Sequence, residues 1–133
     1  MSGLKSKYKI FKDLNLVIEY HEGVLDVDSY INFKKELFED PLFKINLNYY
    51  IHFKNVIFST TSLDIKKFIS YMESISKNLG KRKIAFVTST PNQVVSTTIY
   101  KSLEGDLNQT SKVFSTGKIA LKWLNIDENS INS

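Results

Sequence analysis

Residues 81 to 101 read KRKIAFVTSTPNQVVSTTIYK, a strand, a hydroxyl-rich turn and a helix in succession. Ile84-Ala85-Phe86-Val87 is an uninterrupted apolar run of strand length, the pattern of a strand covered on both faces in a partly parallel sheet. Thr90 supplies an N-cap oxygen, and Pro91 suits the first helical position because a helix leaves that N–H unpaired anyway. Gln93 completes a T-x-x-Q capping box. Val95, Thr98, Ile99, Ser102 and Leu103 recur at helical spacing and predict the face that packs back on the strand.

Upstream, Ile65, Phe68, Ile69, Met72, Ile75 and Leu79 form the most periodic helical pattern of the chain, closed by Gly80. Before it, Tyr49, Ile51 and Phe53 alternate with Tyr50, His52 and Lys54 and lead into Val56-Ile57-Phe58, a predicted strand bent near Lys54-Asn55. Asp26 or Asp28 caps an earlier helix that Pro41 stops. Tyr8 and Ile10, then Leu16, Ile18 and Tyr20, mark two strands joined by a short turn at Asp13-Leu14-Asn15, with Glu19 and His21 on the alternate, polar side and Gly23 ending the second. Downstream, Gly105 ends the central helix, Lys112-Val113-Phe114 is a short fifth strand, and Ala120, Leu121 and Leu124 face inward from a last helix. The predicted order is ββαβαβαβα, an α/β fold with a mixed sheet of about five strands and four helices. Residues 1–133 form one domain in this reading, ordered over about 7–125 between polar tails.

Composition narrows the function. A chain of 133 residues that is 42% hydrophobic suits one core burying about two-thirds of the extended-chain surface. Without cysteine it has no disulfide framework, no thiolate metal site and no cysteine nucleophile. No apolar run is long enough to span a bilayer and Met1-Ser2-Gly3-Leu4-Lys5 lacks a signal-peptide core, so the expected location is cytoplasmic. The net charge of +4 rests on 17 lysines and one arginine, Arg82. Base edges and phosphates are gripped bidentately by arginine's planar fork, so specific nucleic-acid recognition is not expected. Lys34-Lys35, Lys66-Lys67 and Lys81-Arg82-Lys83 read as solvated faces and strand ends.

Three strand-to-helix turns carry hydroxyls: Ser59-Thr60-Thr61-Ser62, Thr88-Ser89-Thr90 and Ser115-Thr116. With the last three strands parallel, all three turns fall at the carboxyl edge of the sheet, where open α/β folds place ligands and helix N-termini favour anions. These turns are the candidate site for an anion, for phosphorylation or for a partner, alongside the simpler role of helix capping. Ser115-Thr116-Gly117-Lys118 is not a phosphate loop, because Lys112 and Ile119 stand where that motif needs glycine and Ser or Thr. His21 and His52 lie on strand faces without ligand spacing, and no catalytic residue, metal site or cofactor is expected. One third of the chain holds Tyr30, Phe33, Phe38, Phe43, Tyr49, Tyr50, Phe53 and Phe58. Core packing, a homodimer interface and a pocket for an apolar molecule all accommodate that excess.

The element order resembles the STAS fold of bacterial anti-sigma factor antagonists, and more closely the small stand-alone SpoIIAA-like (STAS/SEC14-like) proteins. The likeness rests on KNLGKRKIAFVTSTPNQVVSTTIYKSL and on KVFSTGKIALKWL, which is similar to the V-F-x-s-x-x-x-A-L-x-W-L ending of such proteins. In anti-sigma antagonists a D-S-x-G-like turn before the second helix holds a regulatory serine. Here VIFSTTSLDI takes that place, so the resemblance puts Thr61 or Ser62 at the position, without the Asp-Ser pair or the glycine. It implies a non-enzymatic regulatory or protein-interaction module binding a protein partner or a second copy, and its SEC14-like side implies a carrier of a small apolar or lipid-like ligand.

Overall fold

The computed structural model describes residues 3–103 and 107–131, and its centre is the predicted strand, Arg82–Val87 (β4). It is the fourth of five strands in the order β1-β2-β3-β4-β5, with β1 at Leu4–Phe11, β2 at Leu16–Leu25, β3 at Asn48–Phe58 and β5 at Gln109–Phe114. β1 runs antiparallel to β2, and every later neighbour is parallel. The helices are α1 (Val27–Phe38), α2 (Ser62–Ile75), α3 (Pro91–Leu103), α4 (Gly117–Trp123) and a short α5 (Glu128–Ile131). The expected mixed sheet is therefore present, with one helix more than the four predicted. The polar tails are shorter than expected, since β1 already begins at Leu4 and α5 reaches Ile131.

Strand periodicity sorts the side chains into two cores. Val17, Tyr49, Ile51, Ile84 and Phe86 join α1, α2 and α3 on one face, while Leu16, Ile18, Tyr50, Ala85 and Val87 join Ala120 and Leu121 of α4 and its C-cap Leu124 on the other. Burial of residues the size of Ile84 and Phe86 contributes about 1.5–3 kcal/mol each. α1, α2 and α3 share a face because each crosses between strands that are sequential neighbours, and crossovers of one hand then land on one side. Most of the aromatic excess is absorbed here: Phe53 stacks on Phe86 at 5.8 Å, and Tyr30 meets Phe68 at 5.1 Å.

Two glycines act otherwise than predicted. Gly23 does not end β2 but sits inside it at φ 98°, where a Cβ would lie 2.6 Å from the Gly3 carbonyl oxygen of β1's approach. Gly80 (φ 76°) follows a 3-10 turn rather than capping α2 directly, and its Cβ position is occupied by the Asn46 side chain, which accepts from Lys81 N at 2.9 Å. Gly105 and the side chain of Leu103 lie outside what the structure describes.

α3 corrects the predicted packing face. Val95 is 57% exposed and Thr98 is exposed, whereas Gln93, Thr97 and Tyr100 are buried. The reason is polar. Beyond the His52–Val87 pair, β3 continues without β4 beside it, leaving its carbonyls unpaired on that side. Gln93 Nε2 donates to Lys54 O at 3.1 Å and Val56 O at 2.8 Å, so a side chain takes the place of the missing strand. Its Oε1 accepts from Ser89 N at 2.6 Å and Thr90 N at 3.2 Å, while Thr90 Oγ1 receives Gln93 N at 3.3 Å to close the predicted capping box. Gln93→Ala leaves the buried Val56 carbonyl unmatched and Lys54 O with only the Ser89 hydroxyl, and is expected to destabilise the fold by about 2–4 kcal/mol in urea unfolding; a loss below about 1 kcal/mol would show that water replaces the amide.

Candidate functional site

Parallel pairing of β2 through β5 gathers the loops after β2, β3, β4 and β5 at one edge of the sheet, and all three hydroxyl-rich turns lie there. Their hydroxyls are largely engaged in building that edge. Thr61 caps α2, accepting Asp64 N at 3.2 Å, while Asp64 Oδ2 accepts Thr61 N at 2.9 Å. Thr88 is buried and its N–H pairs with Phe114 O at 2.9 Å. Ser89 Oγ reaches Lys54 O at 3.3 Å, Thr90 caps α3, and Thr116 caps α4. Ser59 and Ser62 are exposed, and Thr60 Oγ1 is buried without a hydrogen-bond partner.

The same edge is apolar as well as hydroxylated. Among the described residues, six of the nine exposed large hydrophobic residues lie on it: Val24 and Ile57 at the ends of β2 and β3, Leu63 at the start of α2, Val94 and Val95 at the start of α3, and Ile119 in α4. Leu63 is 73% exposed and Ile57 67%. Fixed turns therefore present an apolar surface around them. Periodicity assigned Val95 to the core, and no residue-level signal marked the others.

A second constellation lies inside the larger core. Glu19 is fully buried on β2, and its carboxylate holds three partners: the Lys34 ammonium from α1, His21 Nε2 at 2.8 Å, and the Tyr30 hydroxyl at 3.1 Å. An ionised carboxylate only accepts, so His21 donates from Nε2, and its Nδ1 shares a 2.6 Å hydrogen bond with Ser6 Oγ of β1. Burial pushes the Glu19 carboxyl up, but the Lys34 charge and the His21 hydrogen bond outweigh it and hold Glu19 below the ordinary value of 4.5. The Lys34 ammonium also lies 4.7 Å from the centre of the Tyr49 ring. Glu19 and His21 were predicted on a polar outer face and Lys34 on a solvated one. They are interior because β2 has partners on both sides and helices over this face. The signal was present in α1, where Lys34 shares a stripe with Tyr30, Leu37 and Phe38.

Beside this network, between the sheet and α1 to α3, runs a narrow cleft of about 70 Å³. Its wall is aromatic and aliphatic, with Lys34, Tyr49 and Arg82 toward one end and Thr60, Asp64 and Ser96 toward the carboxyl edge. That is about half the volume of a cavity that holds benzene, so the cleft as it stands has no room for an acyl chain. Arg82 is itself buried and donates to the Gly80 and Leu107 carbonyls. Among the described residues no group of three or more acidic or histidine side chains is placed to hold a metal, and no helix is long and apolar enough to cross a membrane.

No protein-family profile matches the chain, and no curated protein matches it. Among solved structures it is similar to an uncharacterised DUF3478-family protein with a SpoIIAA-like fold from Shewanella loihica PV-4. The two share 14% identity over 92% of this chain and 94% of that one, with a TM-score of 0.59. The fold is thus SpoIIAA-like, as the sequence resemblance implied.

Removing one partner of a buried ion pair exposes the other's desolvation, so Lys34→Met is expected to cost about 3–5 kcal/mol, and adding Glu19→Leu to recover only part of it, because His21 and Tyr30 then lose their acceptor. Guanidinium unfolding of the three proteins checks both values. Because Glu19's folded pKa is lowered, its contribution is complete above 4.5 and is lost as pH falls through the folded value. Stability measured from pH 6 downward should therefore fall more steeply below 4.5 in the wild type than in Glu19→Leu/Lys34→Met.

Proposed function

We propose that this chain is a non-enzymatic interaction module whose protein partner docks on the carboxyl edge of the sheet. The observation that carries the reading is the concentration there of Ile57, Leu63, Val94, Val95 and Ile119, exposed side chains that no internal packing accounts for. Exposed large apolar side chains gathered at one edge of a sheet suit a contact region. The capping boxes at Thr61 and Thr90 hold the edge in one conformation, so little ordering opposes docking. Ser62, exposed at the first turn of α2, suits modification as a means of altering that surface, since phosphate at a helix N-terminus is electrostatically tolerated. A second copy of the chain is the simplest partner of this kind.

The test is Leu63→Ser with Val95→Ser, two exposed substitutions expected to leave the melting temperature within about 2 °C. In cross-linking capture from the native cells, the wild type should retain a defined partner that the double variant binds roughly tenfold more weakly or loses. For self-association, sedimentation equilibrium should show a dimer for the wild type and a monomer for the variant. Unchanged capture and unchanged mass together would sink the reading.

A further inference from the structure

The cleft between the sheet and α1 to α3 is lined by two buried hydroxyls without a hydrogen-bond partner, Thr60 Oγ1 toward the carboxyl edge and, deeper in the core, that of Tyr49. Tyr49 is 2% exposed and lines the cleft, yet its hydroxyl has no hydrogen-bond partner. Buried polar groups are nearly always matched, because an unmatched donor loses its bonds to water without replacement. A phenylalanine here would avoid that loss, so the hydroxyl is costly to the empty protein. Burial also drives the Tyr49 pKa up, keeping the group protonated and a donor. The charged groups around it already have partners: Lys34 is matched by Glu19, which also takes bonds from His21 and Tyr30, and Arg82 donates to backbone carbonyls.

We propose that the cleft is a binding site for a small uncharged organic molecule, largely apolar and bearing one acceptor oxygen that receives the Tyr49 hydroxyl. Charge is excluded from both sides. A cation would meet the Lys34 ammonium and Arg82 guanidinium that line the wall, and an anion would be desolvated against a Lys34 already neutralised by Glu19, whose negative charge is also felt at the Tyr49 hydroxyl. Walls formed by Ile51, Phe53, Phe68, Ile84 and Phe86 favour a hydrocarbon body. The volume of about 70 Å³ limits that body to fewer heavy atoms than benzene unless the rings part. A short ketone, aldehyde or ether fits this description, and a fatty acid fits neither the volume nor the charge. The site is separate from the docking surface, and each stands without the other.

The full chain, isotope-labelled at isoleucine and methionine methyl groups, is titrated with 2-butanone and with its hydrocarbon isostere 2-methyl-1-butene, and Tyr49→Phe is treated in the same way. Butanone should shift the Ile51, Ile84 and Met72 methyl signals of the wild type saturably. Tyr49→Phe should weaken butanone binding roughly fivefold while leaving the hydrocarbon's affinity within twofold. Without ligand, Tyr49→Phe should melt about 2 °C or more above the wild type, because it removes an unmatched hydroxyl. Absence of saturable shifts in the wild type, or butanone affinity unaltered by Tyr49→Phe, overturns the proposal. So does a lower melting temperature for ligand-free Tyr49→Phe, since that would reveal a partner already satisfying the hydroxyl.

Discussion

A carboxylate buried on β2 must be answered by its surroundings, and much of the larger core is arranged around that demand. Glu19 draws a lysine off the surface of α1, a histidine from its own strand and a tyrosine from the first turns of the same helix. Through His21 and Ser6 the network reaches the edge strand β1. It therefore fixes the rotation of α1 about its axis and its depth against the sheet more sharply than apolar contact alone would, since hydrophobic packing tolerates small slides and a charge pair in a dry interior does not. Aromatic rings of Phe33 and Phe53 close over His21 at 4.8 and 5.4 Å, sealing the pair from water.

Gln93 solves a different difficulty, the mismatch between a long β3 and a short β4. β3 projects past β4 by half its length, and a projecting strand inside a sheet leaves carbonyls with nothing opposite. One side-chain amide matches two of them while its oxygen gathers the N–H groups of the turn before α3. The edge that displays the exposed apolar side chains is thus tied to β3 by the Gln93 amide, with the Ser89 hydroxyl adding a hydrogen bond to Lys54 O.

Much of this was legible in the residues. The run Ile84 to Val87 announced a strand covered on both sides, T-x-x-Q announced the start of α3, and the three hydroxyl turns do share an edge. What stayed hidden has a common cause: hydrophobic pattern locates apolar stripes, and this protein buries polar ones. Gln93 and Thr97 lie on the inner stripe of α3, so the pattern chose the outer stripe through Val95 instead. Glu19 and His21 alternate with Leu16 and Ile18 as an exposed face would, and only the sheet order places them inside. The cleft and the unmatched Tyr49 hydroxyl were beyond reach for another reason, because a gap is a property of how rings from four elements fit and is encoded at no single position.

The strand order has a consequence for how the molecule is made. Each strand pairs with the one that precedes it in the chain, so position in space repeats position in time as the polypeptide is synthesised. After the β1–β2 hairpin, which needs no crossover, the sheet extends at one side only, by one helix-and-strand unit at a time. β3 waits for β4 over the interval from residue 58 to residue 82, and at translation rates of about 5–20 residues per second that is on the order of seconds. Each new edge is open to wrong partners only for that interval, and the helix emerging in it is the one that covers the face just formed. A sheet whose central strands were neighbours of segments made much later would leave them unpaired far longer.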